Sequence, residues 1–245
     1  MDTARPSTTA MTYPRDSAPV DPPYLSPAYH ATVLRAPGRP MAILPHTPTE
    51  SSEPILGEGR VRPADADLTT HGPGEPLGER IIVHGRVLDG DGRPVSGALL
   101  EVWQANAAGR YAHEVDQHPA PLDPNFQGVG RALTDSLGRY RLITIKPGAY
   151  PWRNTPNAWR AAHIHFSVFG HAFLQRLVTQ MYFPGDQLFA QDPIFNAVPD
   201  ARGRERLISR LDLSETVPEW ALAYAWDIVL RGRAATPLED PESHR

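Results

Sequence analysis

The chain has 245 residues, a formal net charge of -4 and no cysteine, with 40% hydrophobic and 21% charged residues. This composition predicts a soluble globular protein with its own core, and the lack of cysteine excludes disulfides, zinc–thiolate sites, iron–sulfur clusters and thiol catalysis. Without a long Lys/Arg run or an 18-residue apolar run, the sequence favours neither nucleic acid nor membrane as a partner. The first residues lack the apolar segment of a signal peptide, so we expect a cytoplasmic location.

Residues 1–76 form a proline-rich arm. Of the 27 prolines, 14 lie in this segment, and no helical or strand periodicity persists there. Such a segment cannot build a hydrophobic core alone, yet it carries apolar side chains that solvent would not favour, among them Tyr29. We therefore expect a largely irregular arm, loose over 1–20, that packs on the main domain or on a partner subunit.

From residue 81 the pattern becomes typical of β-structure. Four strand-like stretches form two pairs, each joined by Gly- and Asp-containing turn residues. The pairs are 81–88 with 99–103, and 131–134 with 140–145. Further strands are predicted at 161–169, 176–183 and 221–230, with one helical stretch near 204–210. The pattern predicts a mainly β protein with an antiparallel β-sandwich core and few short helices over 77–232, followed by a loose tail at 233–245.

Two histidines stand two residues apart in one predicted strand. His163 and His165 therefore share a face, and Ile164 and Phe166 occupy the opposite one. This is a suitable spacing for two metal ligands. The alternative is a polar strand edge without a ligand, and other residues must decide between them.

Two tyrosines lie on predicted loops that leave strands. Tyr111 follows the turn sequence Asn-Ala-Ala-Gly-Arg, and Tyr150 stands within Lys-Pro-Gly-Ala-Tyr-Pro-Trp. Each alone is more simply explained as a packed aromatic with a satisfied hydroxyl. A functional interpretation depends on their combination with the histidines.

Together, these motifs and their spacing resemble the intradiol dioxygenase family over about residues 24–231. The stretches that carry the resemblance are 83–87, 100–102, 109–111, 121–126, 146–154 and 159–166. The resemblance implies a non-haem ferric ion bound by Tyr111, Tyr150, His163 and His165. Phenolate oxygen suits ferric iron because this hard cation favours anionic oxygen donors.

The resemblance also implies roles around the metal. Tyr150 would act both as a ligand and as a base that takes a substrate proton. Arg160 would supply fixed positive charge beside the substrate ring, although a surface arginine paired with a carboxylate is the simpler interpretation of the residue alone. The substrate pocket would include Tyr29, Trp103, Trp152 and Gln180, with core packing as the alternative for the two tryptophans.

The implied activity is the opening of a small catechol ring with O₂, and both oxygen atoms enter the product. No external reductant is implied, and no Gly-x-Gly-x-x-Gly fingerprint indicates a nucleotide cofactor. Family members that act on unsubstituted catechol carry a helical N-terminal dimerisation region, and this arm lacks a sustained helical period. The resemblance therefore implies protocatechuate as the substrate, giving 3-carboxy-cis,cis-muconate in the β-ketoadipate pathway of aromatic catabolism. Such family members pair the iron-bearing beta chain with a related alpha chain that lacks the ligands, in a higher αβ oligomer.

Three alternatives stay open. The chain could cleave another catechol by the same chemistry. It could be a transthyretin-like binding sandwich without enzymatic activity, because fold does not fix function. It could also cleave at ferrous iron held by two histidines and one carboxylate, which the two aligned tyrosines disfavour.

Overall fold

The computed structural model describes residues 21–39, 59–153, 155–170 and 176–239. The stretch 1–20, which we expected to be loose, lies outside the described residues, as does 240–245 at the end of the expected C-terminal tail. Asn154, within the 146–154 motif, also lies outside them.

The described residues are mainly β, as predicted. The strands are β1 (Arg80–Leu88), β2 (Leu99–Trp103), β3 (Val129–Leu133), β4 (Arg139–Ile145), β5 (Tyr150–Pro151), β6 (Trp159–Arg160), β7 (His163–Phe169), β8 (Arg176–Tyr182), β9 (Arg210–Leu211), β10 (Leu222–Ala225) and β11 (Ile228–Val229). The α-helices are α1 (Ala31–Arg35), α2 (Pro193–Ala197) and α3 (Ala201–Arg206). Short 3₁₀ helices span Pro63–Ala66, Leu68–Thr70 and Phe189–Gln191.

One sheet of the sandwich is built around β1. β4 pairs with it in antiparallel fashion, while β10 and β11 pair with it in parallel, and β9 joins β10. This sheet is therefore mixed, where we expected only antiparallel pairing. The reason is that β10 and β11 follow a long connection, which leaves a strand free to enter parallel to its neighbour.

The other sheet has the order β3-β2-β7-β8 and is antiparallel throughout. Its register matters for the site, because Trp103 on β2 pairs with His165 on β7, which pairs with Gln180 on β8. His163 pairs in the same way with Tyr182. Neighbouring strands thus align several of the predicted site residues in rows.

The two strand pairs predicted around turns do not form hairpins within one sheet. β1 and β2 lie in different sheets, and so do β3 and β4. The turns close locally, with the amide of Asp89 donating to the Arg93 carbonyl and that of Asp135 to the Arg139 carbonyl. Beyond each turn the chain crosses to the other layer. Side-chain alternation cannot distinguish this arrangement from a hairpin, because both give each strand one buried face.

The hydrophobic core lies between the two sheets. Inward side chains of both sheets form one buried cluster, including Ile81, Val83, Leu100, Val102, Leu142, Ile164, Phe166 and Val168. β7 contributes Ile164, Phe166 and Val168 to it, so the other face of this strand is turned to the loops that cover the sandwich. This division positions the two histidines.

The helix predicted near 204–210 begins earlier. α3 starts after Asp200, whose side chain accepts from the amide of Arg202 as an N-cap. Arg210, which we placed in the helix, belongs to β9. Among the described residues, no helix is long and apolar enough to cross a membrane.

Both ends of the described chain pack on the sandwich. Tyr29 of the arm is only 1% exposed, and the amide of Leu238 donates to Asp21 at 2.9 Å. Ala235, Thr236 and Glu239 are buried. Residues 235–239, within the tail that we expected to be loose, are therefore packed, because Val229 of β11 accepts from the amide of Thr236 and β8 holds Pro237 and Glu239 by hydrogen bonds. Arg233 and Ala234 are exposed. The division into arm, core and tail stays a prediction.

Candidate metal centre

The two histidines converge on one point. His163 and His165 are 2% and 0% exposed, and their Nε2 atoms lie 3.1 Å apart. They project from the side of β7 opposite to its core residues, as the two-residue spacing predicted. Two imidazole nitrogens therefore face each other in a water-poor environment.

The other ring nitrogens contact hydrogen-bond acceptors. Nδ1 of His163 lies 2.6 Å from the carbonyl oxygen of Ala161, and Nδ1 of His165 lies 2.9 Å from the Glu239 carboxylate. Because carbonyl and carboxylate oxygens only accept, both Nδ1 atoms donate. In the neutral imidazoles this leaves both Nε2 lone pairs facing the centre, the arrangement usual for metal-binding histidines.

The tyrosines complete the cluster. The Tyr111 hydroxyl lies 3.0 Å from Nε2 of His165 and 3.5 Å from Nε2 of His163. The Tyr150 ring lies with its centroid 5.6 Å from that of Tyr111 and 5.7 Å from that of His163. Donor atoms that are each about 2.0–2.2 Å from a common transition-metal ion lie roughly 3–3.5 Å apart. The separations among the Tyr111 hydroxyl and the two Nε2 atoms fit a shared ion.

The two tyrosine loops support each other. Asn106 organises the first loop, because its side-chain oxygen accepts from the amides of Ala108 and Arg110. Gly109 has a φ of +77°, and a side chain at this position would collide with the carbonyl oxygen of Ala149. The residue after Ala149 is Tyr150. Close packing of the loops at Gly109 therefore fixes the distance between the two phenols.

Both phenols favour the neutral form in the protein alone. Burial raises the pKa of Tyr111 well above its usual value, and the neighbouring Tyr150 raises it further. Burial likewise raises the pKa of Tyr150, while the positive charge of Arg160 opposes this shift. Ionising both phenols thus needs compensating positive charge, which a highly charged cation supplies. Two imidazoles and two phenols are a donor set that fits ferric iron.

Arg160 is buried and held on several sides. Its Nε lies 3.1 Å from Oδ2 of Asp192, and its Nη2 donates to Gln180 and, at 3.3 Å, to the Tyr182 hydroxyl. Burial opposes its charge, but Asp192 and the nearby phenols hold the pKa of Arg160 well above its ordinary value. The simpler interpretation of Arg160 as a surface residue is wrong. It is a permanent cation that touches the Trp152 ring face, 5.5 Å from the centroid.

Comparison with known proteins identifies the family. A model of the dioxygenase family matches residues 52–232. The protocatechuate 3,4-dioxygenase beta chain of Burkholderia cepacia is 60% identical over 228 residues, covering 92% of this chain and 96% of that protein. The chain belongs to the intradiol dioxygenase family.

Other relatives agree with this assignment. The protocatechuate 3,4-dioxygenase alpha chain of Pseudomonas putida is 32% identical, covering 82% of this chain and 99% of that protein. The solved structure of 3-chlorocatechol 1,2-dioxygenase from Rhodococcus opacus 1CP is similar with a TM-score of 0.52 and 28% identity. That alignment covers 67% of this chain and 64% of the solved one. The β-sandwich predicted from the sequence is confirmed as the intradiol dioxygenase fold.

The residues expected to line the pocket differ in their positions. The rings of Tyr29 and Trp152 are in edge contact, 5.1 Å between centroids, beside Arg160. Gln180 accepts from Arg160 and Tyr182 through its oxygen, and its buried Nε2 has no hydrogen-bond partner among the described residues. Trp103 stacks on His165 at 4.8 Å and 7°. Its contact with the site therefore passes through the imidazole.

Three residues around this intradiol centre were not singled out from the sequence. Tyr182 could have been found, because it lies two residues after Gln180 on the same strand face. Asp192 precedes Pro193 and signals a helix start, but nothing local connects it with Arg160. Glu239 lies in a proline-containing segment without strand or helix periodicity, and no sequence signal indicated its contact with His165.

The structure also bears on the ferrous alternative. Within the described part of the chain, no group of three or more His, Cys, Asp or Glu side chains is arranged to hold a metal ion. The carboxylate nearest to the pair, Glu239, contacts Nδ1 of His165 on the side away from the centre. The donors that join the histidines there are phenols, as expected for an intradiol dioxygenase.

Proposed function

We propose that this chain is the iron-bearing subunit of an intradiol dioxygenase that converts protocatechuate and O₂ to 3-carboxy-cis,cis-muconate. The observation that carries the proposal is the convergence of two partly buried phenols on two buried imidazoles in one cluster. The 60% identity to a beta chain named for protocatechuate supports this substrate over other catechols.

Tyr111, Tyr150, His163 and His165 would hold the iron. Ferric iron bound by them would supply Lewis acidity and an electron-accepting centre next to the catechol ring. The two phenolates bring two negative charges beside two neutral imidazoles, so most of the charge of a trivalent cation is compensated. This balance makes a buried ferric site electrostatically reasonable.

Tyr150 has the additional role of base. A catechol has two hydroxyl protons to lose, and the phenolate oxygen of Tyr150 accepts one of them. Tyr150 also pairs in register with Arg160 across the short β5–β6 ladder, which places a permanent cation near the phenolate. Because Arg160 lowers the pKa of Tyr150, it favours the ionised base.

Arg160 acts next on the substrate itself. Its side chain is 3% exposed, and Asp192 fixes its orientation. A preorganised buried cation stabilises negative charge as it develops on the ring. Gln180 offers a donor nitrogen that a substrate oxygen can accept from, and Tyr29 and Trp152 form an aromatic wall beside them. Trp103 contributes by holding the His165 ring plane.

The partner is a related alpha chain without the iron ligands, in a higher αβ oligomer. This chain is similar both to a beta chain and, at 32% identity, to an alpha chain, which supports a pair of related subunits. The packed arm, with Tyr29 at the site, is a surface on which such a partner can complete the pocket.

The test is a visible absorption spectrum of the protein purified aerobically with its partner chain, before and after anaerobic addition of protocatechuate. A charge-transfer band that shifts to longer wavelength with substrate is expected, because phenolate and catecholate both donate to ferric iron. Product analysis after O₂ is admitted must then give 3-carboxy-cis,cis-muconate. A colourless protein with oxidised iron verified as bound overturns the ligand assignment. Faster cleavage of unsubstituted catechol than of protocatechuate overturns the substrate assignment.

A further inference from the structure

The last described residues cross the outer strand of the site sheet. The amide of Glu239 donates to the carbonyl of Val178, and the Thr179 hydroxyl donates to the carbonyl of Pro237 at 2.8 Å. Val178 and Thr179 belong to β8, which lies next to the histidine strand β7. Residues 237–239, here called the C-terminal strap, are thereby fixed against the sheet that carries the centre.

The strap ends in a buried carboxylate. The Glu239 side chain is 2% exposed, and its Oε2 lies 2.9 Å from Nδ1 of the fully buried His165. Burying a carboxylate is costly unless it is paired and hydrogen-bonded. Its position against an imidazole of the centre, rather than in solvent, indicates that the contact has a role there.

The two histidines are oriented by different means. His163 donates from Nδ1 to the carbonyl of Ala161, two residues away on the same chain segment. The corresponding partner of His165 is 74 residues away in sequence. One imidazole is therefore oriented locally, whereas the other depends on the docking of the strap.

Stacking on Trp103 cannot replace this contact. The stack fixes the plane of the His165 ring, but a half-turn about its Cβ–Cγ bond keeps that plane and puts ring carbons where the two nitrogens were. A hydrogen-bond acceptor at Nδ1 disfavours the turned ring and so keeps Nε2 facing the centre. The Glu239 carboxylate is that acceptor.

We propose that Glu239 is a positioning residue of the metal centre, which orients His165 through its Nδ1 and makes iron retention depend on the C-terminal strap. The proposal rests on the proposed function, since it presumes that His165 binds iron. An anionic acceptor also makes the imidazole a stronger donor to a metal, and loss of such outer partners typically costs about 10- to 100-fold in metal affinity.

The test compares Glu239→Ala and Glu239→Gln with wild type, each purified with the partner chain. Glu205→Gln, which removes an exposed carboxylate on α3, is the matched control. The measurements are iron per chain, the rate of iron loss to a chelator, and the position of the visible band. We expect Glu239→Ala to lose iron about 10- to 100-fold faster with a displaced band. Glu239→Gln should lie between, because its amide oxygen still accepts, and Glu205→Gln should match wild type.

Two results distinguish failure of the Glu239 proposal from failure of the proposed function. If wild type holds coloured ferric iron and both Glu239 variants retain it at the wild-type rate with an unchanged band, Glu239 is not a positioning residue and the proposal fails alone. If wild type itself binds no ferric iron, the proposed function fails with it. Should Glu239→Ala not fold, Glu239→Gln decides, because it keeps the shape and hydrogen bond of the native side chain.

Discussion

Arg160 and Asp192 form an ion pair in which both side chains are almost fully buried, at 3% and 0% exposure. Asp192 also accepts from the amides of Ala161, Ile194 and Phe195. One carboxylate therefore connects Arg160, the short segment before the histidine strand and the start of α2.

Replacing this carboxylate should destabilise the fold. We expect Asp192→Ala to lower the free energy of unfolding by about 3–5 kcal/mol, because it leaves a buried guanidinium without its charge partner. Denaturant titration of the iron-free protein measures the change. Asp91→Ala, which breaks the exposed pair with Arg93, should leave the unfolding curve unaltered. Equal curves for wild type and Asp192→Ala would contradict the role given to the pair.

Removing the cation should affect turnover more than iron content. Arg160 is not one of the four proposed iron ligands, so Arg160→Ala should keep most of the iron while kcat falls by about 100-fold or more. Metal analysis and steady-state O₂ uptake give the two numbers. Arg141→Ala, an exposed arginine on β4, serves as the control and should leave both unchanged. Parallel loss of iron and turnover in Arg160→Ala would argue for a structural role only.

Loss of the Tyr150 hydroxyl and loss of the Tyr111 hydroxyl should impair different properties, substrate binding and iron retention. Tyr150→Phe removes the proposed base, so anaerobic binding of protocatechuate should slow by about 100-fold or more while iron remains bound. Tyr111→Phe removes a proposed iron ligand that has no part in proton transfer, so iron per chain should fall. Stopped-flow absorbance and metal analysis distinguish them. Wild-type behaviour of either variant would refute the role assigned to that residue.

Tyr140 provides a test of the pH dependence of stability away from the candidate metal centre. Burial raises the pKa of Tyr140 well above its usual value, and its hydroxyl donates to the carbonyl of Trp226 at 2.6 Å. A folded-state pKa above the unfolded value of about 10 means that the folded protein holds the proton longer. Stability is then fully present below pH 10 and falls above it by about 1.4 kcal/mol per pH unit for this one proton.

The variant Tyr140→Phe should remove that contribution to the slope. It should also be less stable than wild type at neutral pH by about 1–3 kcal/mol, since the Trp226 carbonyl loses its buried donor. Urea unfolding at pH 8 and at pH 10.5 measures both effects. An unchanged difference between the two pH values in the variant would contradict the assignment.

The sequence predicted what depends on local periodicity. The common face of His163 and His165 follows from two residues of spacing, and the strand positions follow from alternation and turn residues. The sheet to which a strand belongs does not follow from local periodicity, because a turn such as 89–92 is compatible with a hairpin and with a crossing between sheets. The mixed sheet around β1 was missed for the same reason.

Contacts between residues far apart in the sequence could not be predicted either. Asp192 lies 32 residues from Arg160, and Glu239 lies 74 residues from His165. Neither carboxylate belongs to a motif that marks its partner, so only the three-dimensional arrangement brings them together. The roles of the metal donors and pocket residues remain predictions that the experiments above address.

Trp103, His165 and Gln180 are paired in register across β2, β7 and β8, and this pairing limits how the centre can open. β7 is hydrogen-bonded on both sides, to β2 and to β8, so the backbone of its two histidines moves away only when the sheet itself comes apart. The loops of Tyr111 and Tyr150 and the C-terminal strap lie outside these ladders, and smaller local unfolding events can release them. The centre thus joins a half carried by the sheet with a half carried by loops and the strap, and opening the second half costs less free energy than opening the sheet.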